Sequence, residues 1–432
     1  MGTLTILART AIPAPNCAGI PALRSIICLA ARGARHFRRQ PSQRHISHLH
    51  PAASASTGAT QQQQELEQQV TRAEQQPPTA PAATMPFFLV EANGQGAPFH
   101  QASGPWLEAA PRGAYTTART VGGDAVLELN FHIERLANTA KLMITADEES
   151  AALHSEAAAP AALPTAADPD LLRPRVLAAM RAAVQGYRSA TGDAAGEVRL
   201  TVLVTWPGCQ QQQPAHPAGA SSSSSSSSQS AALAPSAGAD QPGVLVHVSS
   251  LPPRPAPPVR VVMRGAPRQN AEAKDSEWVR QRKSLQEGLP QPTEEVLLVG
   301  ADGSIYEGLS SNFFALCADG KLHTAGDGIL AGTVREVALA VARREGIPVV
   351  LQPPRLADLE RWQGCFISST SRLLLPVDEA GVFPEGGHEP GSADNAPVQL
   401  ERVRRFERGG LVQRLEQLVL AELVACSEPL YS

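Results

Sequence analysis

Only four of the 37 basic residues in this 432-residue chain are lysines, at positions 141, 274, 283 and 321. A lysine that attacks a carbonyl needs surroundings that lower its amine pKa, so that the neutral form is present to react. Lys321 sits in the turn ADGKL and Lys283 in the basic cluster RQRK, both solvent positions, and Lys141 falls on the polar side of an amphipathic segment. Lys274 lies between the strand pattern VRVVM and the segment DSEW, at a strand end of the kind on which sites are built. The alternative for Lys274 is an exposed surface lysine.

A pyridine cofactor makes two further demands, a carboxylate against its ring nitrogen and a cradle for its phosphate. Glu307 closes the strand SIYE ahead of GLSSN, which makes it either a site carboxylate or an ordinary strand-end acid. ILAGTVRE puts Gly332 and Thr333 at a helix start, where free N–H groups and the helix dipole bind phosphate or simply take a cap. Ser368, Ser369, Thr370 and Ser371 form a second hydroxyl-rich turn after CFI, again phosphate donors or helix caps.

The elements around these residues alternate between strand and helix signals. AVLELN (125–130) reads as a strand and 132–143 as a helix with apolar residues at helical spacing. Asp168 followed by Pro169 is an N-cap and first-turn pair opening a helix to about Ser189. VRLTVLVTW (198–206) and VLVHVSSL (244–251) form a strand pair. Strand 259–263, a helix near 274–287, and strands 295–300 and 304–308 joined at Asp302-Gly303 come next. A strand SNFFALC, a helix from Thr333 to Arg344 stopped by Gly346, strands PVVLQ and CFISST, and a helix over about 397–425 complete the pattern. Mixed helix and strand throughout predicts an α+β or α/β fold.

Composition bounds the rest. With 43% apolar and 18% charged residues the chain can bury one large or two ordinary cores. A net charge of −4 provides no field to recruit nucleic acid or an anionic membrane, so the expected partner is a small molecule. No run of about 18 apolar residues suggests a membrane span. The six cysteines are far apart, which predicts free thiols in a reducing compartment. His45, His48 and His50 imitate a metal cluster but lie in a segment expected to be removed, so no metal is expected.

Met1 to Gln64 contains no acidic residue and seven arginines, which suits a transit peptide over 1–60 for a chloroplast or mitochondrion. Residues 61–85 are Gln-, Ala- and Pro-rich and read as a disordered linker. A small N-terminal α/β domain is expected over 86–257 and a large C-terminal one over 258–432. The biased tracts 150–167, 209–242 and 381–396 are expected as exposed insertions, because they cannot bury enough apolar surface to offset their ordering entropy.

Taken in order, GAYTTART (113–120), HIERLANTA (132–140), Lys274, DGSIYEGLSSNFF (302–314), GILAGTVRE (328–336) and FISSTSRLLLPV (366–377) closely resemble the class IV, or fold-type IV, pyridoxal-phosphate aminotransferases. This group includes the branched-chain and D-amino-acid enzymes and aminodeoxychorismate lyase. The resemblance implies two mixed α/β domains with pyridoxal 5'-phosphate between them, and a homodimer. It implies Lys274 as the lysine bonded to the cofactor as an aldimine and as proton shuttle, and Glu307 at the pyridine nitrogen. Arg135 resembles the phosphate-binding arginine, Gly332, Thr333, Ser369 and Thr370 the rest of the phosphate cradle, and Tyr115 the active-site tyrosine near the lysine. Arg119 is a candidate substrate contact or a buried structural arginine. The implied reaction is amino transfer between an amino acid and a 2-oxo acid. The alternatives are the lyase reaction releasing pyruvate and p-aminobenzoate, to which TTAR (116–119) is similar, and a non-catalytic cofactor-binding protein. KDSEWVRQRKSLQ (274–286) is most similar to a plant and algal subgroup, and VTWPG (204–208) lacks the basic residues of the D-amino-acid enzymes.

Overall fold

The computed structural model describes residues 87–90, 94–153, 164–206, 209, 242–384 and 399–431. The transit peptide, the linker, the three histidines and most of the three biased tracts therefore lie outside the described residues. Residues 80–432 form one compact unit.

The chain first builds strands β1 (Phe87–Val90) and β2 (Gly96–Phe99), helix α1 (Ser103–Ala109), and strands β3 (Ala114–Val121) and β4 (Ala125–Leu127). Helices α2 (Leu129–Leu153), α3 (Pro164–Ala167) and α4 (Pro169–Thr191) precede strands β5 (Val198–Thr205) and β6 (Gly243–Ser250). Strand β7 (Arg260–Met263) leads to the short helices α5 (Glu277–Gln281) and α6 (Lys283–Gln286), then strands β8 (Glu295–Val299), β9 (Ile305–Gly308), β10 (Asn312–Leu316) and β11 (Leu322–His323). Helix α7 (Thr333–Arg344) is followed by strands β12 (Val349–Val350), β13 (Gly364–Ser369), β14 (Leu373–Pro376), β15 (Glu379–Val382) and β16 (Arg402–Arg405). Helix α8 (Gly410–Glu422) and strand β17 (Ser427–Pro429) end the described chain.

Two sheets result, one ordered β17-β4-β3-β5-β6-β1-β2 and a larger one built from β7 to β16. The mixed α and β content is as expected. In the first sheet β5 pairs antiparallel with β3 on one side and β6 on the other. Ala114, Ala118, Leu200, Val202 and Val246 join a core with Leu136, Val176 and Met180 of the helices α2 and α4. Alternation along the strands leaves the intervening side chains for the opposite face. The side chain of Asp168 accepts from the N–H groups of Asp170 and Leu171, which fixes the start of α4, and Gly192 closes the helix at φ 72°.

Several expected elements take a different form. The strand expected to reach Asn130 ends at Leu127, because Glu128 adopts φ 52° and its carbonyl accepts from His132 N–H as α2 begins. The helix expected near 274–287 is two short turns broken at Arg282. The helix expected from 397 starts at Gly410, since Arg402–Arg405 pair with β15 instead. The tract 150–167 is helical at both described ends and buries Ala166, while Val382 and Phe383 of the tract 381–396 are buried too. Cys209, Cys317, Cys365 and Cys426 are free thiols, as expected. Among the described residues no helix is long and apolar enough to cross a membrane.

Candidate active site

The face of the first sheet turned away from α2 and α4 lines a cavity of about 380 Å³ with Tyr115, Thr117, Arg199 and Thr201. Opposite these side chains are Lys274, Glu307, Gly332, Thr333, Ser369 and Thr370, all named from the sequence, and Arg135 reaches in from α2. Arg119 does not line the cavity. It is buried, and burial lowers its pKa.

Lys274 is the one lysine of the four that is not exposed. Its segment is stitched to β3: Tyr115 N–H donates to the Lys274 carbonyl at 3.0 Å, and Ser276 N–H to the Gly113 carbonyl at 3.0 Å. Gly113 N–H donates to Ser276 Oγ at 3.0 Å, and Lys274 N–H donates to Thr139 Oγ1 at 3.1 Å. With its backbone fixed, Lys274 sets Nζ 4.7 Å from the Tyr115 ring centre. Burial pushes its amine well below the usual lysine range, the nearby Arg135, Arg268 and Arg282 guanidinium groups add to this, and Glu307 opposes it. The neutral amine a nucleophile or base requires is thereby available.

Glu307 does not stand alone. Arg268 Nε donates to its Oε1 at 2.8 Å and Leu330 N–H to its Oε2 at 2.9 Å. Arg268 is itself held by the carbonyls of Ala271 and Ala273 and lies against the Trp278 ring. Burial pushes the Glu307 carboxyl upward against the pull of Arg268. Each carboxylate oxygen keeps a further lone pair for a donor in the cavity. Sequence reasoning did not identify Arg268, because nothing in RGAPRQN indicates a partner 39 residues away.

Further residues of the lining suit a phosphate. Helix α7 starts at Gly332 without any side chain capping its first N–H groups. Thr333 Oγ1 and Thr370 Oγ1 lie 3.1 Å apart, and Arg135 Nε and Ser368 Oγ are buried with no hydrogen-bond partner in the protein. Arg135 is oriented by donating to the Ala331 carbonyl at 3.2 Å and to Thr116 Oγ1 at 2.6 Å, with His132 Nδ1 3.1 Å away. Burial pushes the Arg135 pKa down to about 10, which leaves it charged at neutral pH. Burial and Arg135 hold His132 well below its usual range, and its Nδ1 lies 2.7 Å from Thr116 Oγ1. Thr116 and His132 are also positions the sequence did not single out. These unused donors, a low-pKa lysine and a carboxylate near it together fit pyridoxal phosphate.

Gly332 is needed for its size, since a Cβ there would collide with Asn312 Oδ1. Gly332→Ala is expected to cost about 1–3 kcal/mol, the range for forcing extra volume into a packed site. Chemical denaturation measures that loss, and cofactor titration of the same variant is expected to show weaker binding.

The class IV amino-transferase family model matches residues 113–380, which contain every residue of this cavity named from the sequence. The chain belongs to the class IV aminotransferase family. Among class IV relatives, the D-alanine aminotransferase of Listeria monocytogenes is 31% identical over 122 residues, 28% of this chain and 36% of that protein. The curated relatives are matched over only 30% to 40% of their own length. The solved branched-chain aminotransferase of Thermoproteus uzoniensis with norvaline superposes with a TM-score of 0.52 at 17% identity, covering 81% of this chain and all of that one. That likeness is one of fold.

Proposed function

We propose that the chain is a pyridoxal-phosphate-dependent aminotransferase that moves an amino group between an amino acid and a 2-oxo acid. The observation that carries this reading is Lys274, fixed by its backbone in a cavity that a buried carboxylate and unpartnered phosphate donors also line. Arg135, Gly332, Thr333, Ser369 and Thr370 would hold the cofactor's phosphate, and Glu307, braced by Arg268, its ring nitrogen. When bound, pyridoxal phosphate supplies a carbonyl that condenses with amines and a ring that accepts the electron pair released at the substrate's α-carbon. Lys274 Nζ would hold and move the proton. Tyr115 packs against the lysine and limits the directions Nζ can take. A scaffold without turnover has no chemical need for the Lys274 and Glu307 pair.

Three finer readings accompany this one. KDSEWVRQRKSLQ supports membership of the plant and algal subgroup, the acid-free, arginine-studded N-terminus supports import into a chloroplast or mitochondrion, and the family resemblance supports a homodimer.

The test is to add single L- and D-amino acids to the cofactor-loaded full-length chain, with no 2-oxo acid present, and follow the cofactor's absorption. Conversion to the amine form of the cofactor by one donor is the expected result. Release of pyruvate and p-aminobenzoate from aminodeoxychorismate, with the absorption restored, would replace it with the lyase reaction. A spectrum that ignores every amine would overturn both.

A further inference from the structure

The three groups that suit pyridoxal phosphate sit on separate stretches of chain: Arg135 on α2, Lys274 between β7 and α5, and Glu307 on β9. Their spacing has to match one rigid ring. Residues 273 to 275 carry connections that set it. The Ala273 carbonyl accepts from Nη1 of Arg268 at 2.9 Å, the arginine that also holds Glu307. Lys274 N–H donates to Thr139 Oγ1 at 3.1 Å, and the Asp275 carboxylate is paired with Arg112.

Helix α2 anchors two of these connections. Arg135, Thr139, Met143 and Asp147 recur every four residues and so form one stripe of the helix, the first three of them buried. From this stripe Arg135 lines the cavity, and Thr139, about 6 Å further along the axis, takes the Lys274 N–H. Asp147, about two turns beyond Thr139, accepts from Nη1 of Arg112 at 3.1 Å. One helix face thus holds the arginine suited to the phosphate and, by two routes, the segment of the reactive lysine.

Arg112 is a fixed bracket between α2 and that segment. Its Nε and Nη2 both reach Asp275 Oδ2, at 2.9 and 2.7 Å, and its carbonyl accepts from Cys209 Sγ at 2.8 Å. The backbone beside it has no room to shift, since a Cβ on Gly113 would collide with the Val204 carbonyl. Asp275 Oδ1 accepts from Glu277 N–H at 2.9 Å. Asp275 borders the cavity, but both of its oxygens are engaged by these partners. Thr139 and Asp275 therefore act on Lys274 through its backbone.

We propose that Thr139 and Asp275, the latter through Arg112, are positioning residues for Lys274: they hold its backbone where Nζ reaches the cofactor's carbonyl, while Arg135 of the same helix face holds the phosphate. This rests on the pyridoxal-phosphate reading of the cavity. Attachment forms a carbon–nitrogen double bond from the neutral amine and the aldehyde, and the aldehyde oxygen leaves as water with both amine protons. A misplacement of about 1 Å can slow a step of this kind about 10²-fold. Phosphate binding depends on other donors and is spared.

The test uses the full-length chain freed of cofactor. Absorption is followed after adding pyridoxal phosphate at increasing concentration, which separates the limiting rate of bond formation from the concentration that gives half of it. Thr139→Val, which leaves the Lys274 N–H without its acceptor, is expected to lower the limiting rate about 10–100-fold. Asp275→Asn, which removes the charge that Arg112 holds, should lower it about 10-fold. Thr139→Ser keeps the acceptor and should return to within about 3-fold of wild type. Pyridoxamine phosphate, with an amine in place of the carbonyl, cannot bond to Lys274, and its affinity should change less than about 3-fold in every variant.

Limiting rates in Thr139→Val and Asp275→Asn equal to that of wild type would overturn the proposal. So would a parallel loss of pyridoxamine phosphate binding, which marks a general loss of structure, or a Thr139→Ser variant as slow as Thr139→Val. Bond formation in the wild type with indifferent variants removes the positioning alone. A wild-type chain that forms no bond with pyridoxal phosphate removes the cofactor reading, and the proposal with it.

Discussion

Lys274→Ala is expected to abolish covalent attachment of the cofactor and to lower amino transfer by about 10²–10⁴-fold from the loss of proton transfer alone. The three remaining lysines are exposed, so none can take over at the cavity. Borohydride reduction, which fixes a lysine-bound pyridoxal group permanently, should label the peptide containing Lys274 in the wild type and no peptide in the variant. Label appearing on Lys141, Lys283 or Lys321 would assign the chemistry elsewhere. In the wild type, the pKa of Lys274 is lowered, so the neutral amine persists at pH values where an ordinary lysine is fully protonated. Uptake of pyridoxal phosphate by the cofactor-free protein should therefore persist at pH values where an ordinary lysine is protonated, and absorption followed during uptake across a pH series checks it.

Arg268→Met is the second large effect. It leaves Glu307 buried with its principal cation gone, and breaking a buried pair on one side costs about 3–5 kcal/mol. The sign of the pH dependence follows from the remaining carboxyl. Burial already raises its pKa in the folded protein, and without Arg268 it rises further above the unfolded value. A raised folded pKa gives stability that is present below the unfolded carboxyl pKa and lost as pH rises through the folded one. The deficit should therefore be largest at neutral pH and shrink toward pH 4, as urea unfolding of wild type and variant at both pH values would reveal. Adding Glu307→Gln to Arg268→Met should recover part of the loss, since the uncompensated charge is then gone. Neither variant should keep normal turnover.

What the sequence revealed, and what it did not, follows from the range of the interactions concerned. Helix α7 was legible because Val334, Val337, Ala338 and Val341 repeat at helical spacing and Gly346 adopts φ 68° just after it. The strand pair β5 and β6 was legible for the same local reason. RVRR at 402–405 carries no local sign of its state, because its strand form depends on the backbone of β15. At the site, Lys274, Glu307, Gly332 and Thr370 could be named one by one, since each sits at the end of a recognisable element or in a family segment. Arg268 could not, as it acts through a partner on another loop. His132 belonged to a quoted segment, but its contact with Thr116, 2.7 Å from ring nitrogen to hydroxyl, joins a helix to a strand and is invisible in either alone.

The pairing of Ala114 with Asp275, together with the hydrogen bonds on either side of it, spans more than 160 residues of intervening chain. Closing a loop of that length costs entropy before any contact repays it, so this contact is expected to form late in folding. The reactive amine is then expected among the last groups to reach its place, and a chain still emerging from synthesis would bind its cofactor covalently only after both ends of that loop have met. Recovery of cofactor absorption during refolding would then be a clock for the final step of assembly, lagging the return of helical signal.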